Sequence, residues 1–99
     1  MLALLVMTDL ASLPGLGPKS ARWLNESGIH SLAQLQAIGA IRAYAMVSAQ
    51  RPVSLNLLYA LVGALEGRRW QDVAKQDRAS LIMALDGYQQ LTQMAKEDD

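Results

Sequence analysis

The residues best suited to chemistry lie in one short run, Leu13-Pro14-Gly15-Leu16-Gly17-Pro18-Lys19-Ser20-Ala21. The chemistry they suit is anion binding. Two glycines flank one leucine, which permits the positive φ angles and close backbone approach of a tight hairpin. Pro18 fits a first helical position, where a missing N–H costs nothing. The N–H groups that follow point out along the helix axis at its positive end. That arrangement holds a phosphate. The amides after Gly15 and Gly17 are expected to donate to it. Lys19 and Ser20 would add side-chain contacts, and Arg22 long-range attraction. The same residues also suit a plain turn that packs one helix on the next and binds nothing.

No catalytic constellation stands beside this run. His30 is the only histidine and follows Gly28-Ile29 at a helix junction, where a capping or partly exposed role accounts for it. The chain has no cysteine, which excludes a disulfide framework and thiolate metal or redox chemistry. The carboxylates gather at one end without the loop spacing of a calcium site. Ser20, Ser31 and Ser54 each precede or open an expected helix, where capping explains a serine. A non-enzymatic protein without metal or cofactor is expected.

Charge divides the chain. The formal net charge is zero, which counts against strong non-specific nucleic-acid binding. From Leu10 to Gln71, however, six bases (Lys19, Arg22, Arg42, Arg51, Arg68, Arg69) face two acids (Glu26, Glu66), a net of +4. From Asp72 onward three bases face six acids, a net of −3, and Asp9 supplies the remaining −1. A mildly basic body with an acidic end is compatible with one anionic surface and with ordinary solvated faces.

The elements that position the hairpin read as helices. At 99 residues and 52% hydrophobic, the chain can build one packed core. Phenylalanine is absent, so Trp23, Trp70, Tyr44, Tyr59 and Tyr88 supply the aromatic part. Thr8 or Asp9 can cap a first helix through about Leu13. Pro18 opens a second, to about Ser27, with Gly28 at its left-handed C-cap. Ser31 caps a third, which Gly39 ends or bends. Ala40 to Gln50 puts Ile41, Tyr44, Ala45 and Ser48 on one stripe, and Arg51-Pro52 breaks it. Ser54 caps a helix from Leu55 to Glu66 that is apolar all round and therefore central. Within it, Gly63 implies close approach of a neighbouring helix, and the Asn56 amide is expected to bond nearby loop backbone. Arg68 to Asp72 reads as a connector with Trp70 plugging the core and the arginines solvated; a stacking platform for a base is the alternative role for Trp70. Asp77 can cap a last helix with Leu81, Leu85, Tyr88 and Leu91 or Thr92 on its inner face. The sum is an all-α bundle of five to six short helices without a strand. Residues 1–8 form an apolar N-terminal segment, 9–95 the helical domain and 96–99 a frayed acidic tail. Met1–Met7 is too short to span a bilayer and lacks the basic region of a signal peptide. No membrane association is expected, and the missing cysteines fit a cytoplasmic setting.

Leu13, Pro14, Gly15, Leu16 and Gly17, then Lys19, Ser20, Ala21, Leu24 and Gly28-Ile29, resemble the helix-hairpin-helix motif of sequence-independent DNA-binding proteins. Leu35 to Gly39 followed by Ala43 is a weak echo of a second unit without its second Gly-x-Gly. The Gly-Pro-Asp context of helix-hairpin-helix glycosylases does not occur. A wider resemblance joins Leu16 to Ser20, Trp23-Leu24, Gly28-Ile29, Leu35, Gly39-Ala40 and Tyr44 to the block Ser54 to Leu61, then Ala64-Leu65, Gly67 and Trp70. From about residue 9 to residue 85 the chain is similar to the C-terminal domain of the TfoX/Sxy family, linked in bacteria to natural competence. That resemblance implies a small regulatory module. Its expected partner is DNA, bound weakly and without sequence preference through Gly15, Gly17, Lys19, Ser20 and Arg22. The alternative is a protein-interaction module in transcriptional or competence regulation with a purely structural hairpin. Its partner would be a regulatory protein or a second copy in a homodimer, met through the Met1–Met7 segment or the last helix. In the family this domain often follows an α+β domain absent from this sequence, so the chain reads as a stand-alone member or a fragment.

Overall fold

A computed structural model of the protein describes Leu10, Leu13 and residues 15–97. The N-terminal apolar segment, the Thr8 or Asp9 cap and the place of Pro14 in the turn lie outside the described residues. Among the described residues there are six named helices and no strand: α1 (Pro18–Glu26), α2 (Leu32–Ile38), α3 (Ala40–Ser48), α4 (Leu55–Glu66), α5 (Trp70–Gln76) and α6 (Arg78–Glu97).

Local sequence sets most of the boundaries. Pro18 stands at the first turn of α1, whose inner face carries the buried Ala21 and Leu24. The helix closes in a Schellman pattern. Gly28 N–H donates to Asn25 O at 3.0 Å, and Ile29 N–H to Leu24 O at 2.9 Å. Ile29 and Leu24 are both fully buried, which is the apolar contact this motif favours. Ser31 caps α2 through its hydroxyl, which accepts from Gln34 N–H at 3.2 Å, while Gln34 Oε1 accepts from His30 N–H at 2.6 Å. This is a variant of the capping box, shifted by one residue on the return bond. One residue, Gly39, both ends α2 and starts α3. Its φ of 86° with ψ of 159° lies in a region open essentially to glycine alone.

Helix α4 is the centre of the molecule: Leu57 to Gly63 is an unbroken run of buried residues. Around it the core gathers Leu10, Leu16, Leu24, Ile29, Leu35, Val47 and Val73. On α3 the buried face is Ala43, Tyr44 and Val47; Ile41, Ala45 and Ser48 from the expected stripe are half-buried. The Tyr44 hydroxyl donates to Val53 O at 3.1 Å and ties α3 to the segment that leads into α4. Burial, with Tyr59 nearby, pushes its pKa above the ordinary phenol value.

Five expectations change. Ser54 occupies the N-cap of α4 but its side chain makes no cap hydrogen bond. Gly63 is approached by the chain's own return and not by a neighbouring helix: a Cβ there would collide with the Arg68 carbonyl oxygen. The connector expected from Arg68 to Asp72 becomes helical at Trp70, because Val73 is fully buried and holds α5 on α4. The Asp77 carboxylate accepts from Arg68, and what the α6 start receives from Asp77 is its backbone carbonyl, which takes Leu81 N–H at 2.9 Å and the Ser80 hydroxyl at 3.0 Å. The inner face of α6 keeps Leu85 buried, with Leu81 and Tyr88 half-buried, and ends there. Leu91 is 68% exposed.

Candidate nucleic-acid interface

The hairpin begins with Leu16 N–H donating to Leu13 O at 3.1 Å, a β-turn whose third residue is Gly15 at φ 86°. A type II turn requires a positive φ there. Leu10 and Leu16 are buried and anchor the turn, while Gly15 and Gly17 stay exposed. Gly17 is the N-cap of α1 and Pro18 follows it. Ala21 N–H, bonded to Gly17 O at 3.0 Å, is the first α1 amide with an intrahelical partner. The donors therefore differ from those expected. Leu16 N–H is spent inside the turn, and Pro18 has none. The N–H groups of Gly17, Lys19 and Ser20 have no acceptor among the described residues.

The five residues singled out from sequence do not all share a face. Gly15, Gly17, Lys19 and Ser20 stand together around the α1 start. Arg22 is exposed three positions beyond Lys19, roughly 60° around the helix axis from it and roughly 160° from Ser20. Lys19 is exposed, and its ammonium lies 5.2 Å from the centroid of the Trp23 ring. The Arg51 guanidinium lies 5.4 Å from the same ring and also pairs with Glu26. Trp23 is thus flanked by two cations beside the hairpin, a contact between distant parts of the sequence that spacing within one helix does not reveal.

A groove of about 330 Å³ runs beside the hairpin, bordered by Gly15, Ser20, Trp23, Ser54, Asn56 and Trp70. A smaller cleft of about 230 Å³ adjoins it through Gly15 and Trp70 and reaches Arg68 and Arg69. Trp70 is 36% exposed at the junction of the two, so it does not plug the core as expected. Asn56 is exposed and its side chain makes no hydrogen bond among the described residues, so its amide does not serve the loop backbone as expected. Sequence gave one usable signal for it: a polar residue on an otherwise apolar helix.

Behind the cleft, Arg68 is not free in solvent. It donates to Asp77 Oδ2 at 2.7 Å, Glu66 Oε1 at 2.9 Å and Gln76 Oε1 at 2.8 Å, clipping the end of α4 to the α5–α6 junction. These bonds raise its pKa further and hold the Asp77 carboxyl below its ordinary value. Arg69 is exposed and is the cation this connector leaves toward the cleft.

Among the described residues no three His, Cys, Asp or Glu side chains gather as metal ligands, and no helix is long and apolar enough to cross a membrane. Comparison with curated proteins returns no match, and comparison with solved structures returns none. The family model of the TfoX C-terminal domain matches residues 6–85, a span that takes in the hairpin, the central helix α4, the Trp70 helix and the first part of α6. With most of its length matched in this way, the chain belongs to the TfoX C-terminal domain family.

Proposed function

We propose that the protein is a non-enzymatic regulatory module that contacts the DNA backbone through its hairpin. One observation carries this reading. The Gly15 turn and the α1 start leave three N–H donors, at Gly17, Lys19 and Ser20, without acceptors on an exposed surface, with the Lys19 ammonium beside them. Amides aimed outward at the positive end of a helix suit one phosphate oxygen. None of these groups reads a base edge, so binding is independent of duplex sequence. The zero net charge makes it weak, and counterion release where Lys19 meets a phosphate makes it salt-sensitive. The test is fluorescence anisotropy with labelled DNA at low and near-physiological salt, on the wild type and a folded Gly15→Ala/Lys19→Ala double variant. Salt-sensitive binding that the double variant loses supports the reading. No binding at low salt overturns it.

A second reading, a protein-interaction module, is favoured by the outer face of α6. Met83, Leu91 and Met94 are 74%, 68% and 59% exposed there, an apolar stripe that the rest of the fold leaves uncovered. The partner this reading commits to is a second copy, since a basic body and an acidic end complement each other between antiparallel chains. Removing residues 1–6 tests the N-terminal segment as the contact, and Leu91→Lys tests α6.

A further inference from the structure

Three polar side chains that border the groove are unspent by the fold. Ser54 stands at a helix N-cap without capping, Asn56 makes no hydrogen bond among the described residues, and Ser20 likewise makes none. Helix propensity does not explain Asn56, since asparagine is among the poorer helix formers. The chain has two tryptophans, and both border this same groove. An indole left more than one-third exposed at Trp70 keeps apolar surface in water. Cations flank the other indole, at Lys19 and Arg51. Indole surface, uncommitted donors and acceptors, and a cationic rim together recognise a flat, hydrogen-bonding group attached to an anionic chain.

We infer that the groove takes one unstacked base of single-stranded DNA while a neighbouring phosphate sits on the hairpin. The inference rests on the hairpin–phosphate reading above, and Gly15 links the two because it forms the turn and borders the groove. A base inside a duplex is stacked and cannot enter, so the site favours a single strand. Stacking on an aromatic side chain tolerates any base, and the Asn56 amide offers a donor and an acceptor to a base edge.

The experiment titrates the full chain with two single strands of about eight nucleotides, one of thymidines and one abasic with the same number of phosphates. Anisotropy reports affinity. Tryptophan fluorescence reports the groove, since both indoles border it. The thymidine strand is expected to quench the indoles and to bind about tenfold more tightly than the abasic strand. Asn56→Ala and Trp70→Ala are expected to bring the thymidine strand toward the abasic affinity and to leave abasic binding unchanged. Asn56 is exposed and partnerless among the described residues, so its variant tests the site without testing the fold. Equal affinity for the two strands without quenching overturns the base site and leaves the hairpin reading standing. Base-dependent binding that survives the Gly15→Ala/Lys19→Ala change supports the groove and removes the hairpin phosphate. Failure of both strands to bind at low salt overturns both.

Discussion

Lys19 serves two structures at once: its amide belongs to the start of α1, and its ammonium lies over Trp23. A cation–π contact at an exposed site contributes about 0.5–1 kcal/mol, small enough for the ammonium to leave the ring for a phosphate. Lys19→Ala is therefore expected to weaken DNA binding evenly across sequences and to flatten the salt slope by about one ion. Arg22→Ala, nearly one helical turn further from the hairpin, should change the slope less. A Lys19→Ala protein with wild-type affinity and slope would take this residue out of the interface. Asp77 sets a second residue-level expectation. The Arg68 hydrogen bonds hold its folded pKa below the ordinary 3.8. Its contribution to stability is present above that ordinary value and is lost as pH falls through the depressed folded value. Asp77→Asn should therefore melt below the wild type at neutral pH, with the gap closing in strong acid. A gap that stays constant from pH 7 to pH 2 would show that Arg68 and Asp77 do not hold the α4–α6 clip. The hairpin could be read from residue types because turn and cap requirements are local. The groove could not, since Trp23, Asn56 and Trp70 meet only through the packing of α1, α4 and α5.

Three glycines at the level of the helices separate three physical roles. At Gly39 an added Cβ meets nothing, but φ is 86°, so Gly39→Ala costs conformational strain of about 1–3 kcal/mol. For a domain of this size that lowers Tm by roughly 4–8 °C per kcal/mol. Gly63 has ordinary helical backbone, and there the obstacle is the Arg68 carbonyl, so Gly63→Ala must move the start of α5. It should cost stability and also disturb Trp70 fluorescence. Gly87 has neither constraint, and Gly87→Ala should stabilise α6 by about 1 kcal/mol. Thermal melts of the three variants check the order, and a Gly39→Ala protein as stable as Gly87→Ala would contradict it. The same contrast explains what the sequence disclosed about the elements. The bounds of α1 and α4 were legible because Pro18, Gly28, Ser54 and Gly67 punctuate them. Helix α5 was not, because Val73 is its single buried residue and seven residues give no period. Gly63 announced a close approach but not which backbone makes it.

For the whole molecule, the arrangement of charge and apolar surface decides between the two readings. The core closes around α4, yet α6 runs for 20 residues, about 30 Å, and residues 89–94 are exposed. Leu91 stands roughly 120° around the helix axis from Leu85, so it falls with Met83 and Met94 and not on the inner stripe. The exposed Met83, Leu91 and Met94 lie on the half of the chain that carries net negative charge, and the hairpin lies on the half that carries net positive charge. DNA binding uses the basic half and leaves the stripe untouched, so Leu91→Lys should preserve DNA affinity. Pairing with a second copy uses both halves, and Leu91→Lys should then dissociate it by placing a charge in an apolar contact. Sedimentation of the wild type and Leu91→Lys across a range of concentrations and salt separates these outcomes. A dimer that salt and Leu91→Lys both weaken supports the antiparallel contact, whereas a wild type that stays monomeric at every concentration excludes the second-copy reading and leaves the hairpin as the molecule's working surface.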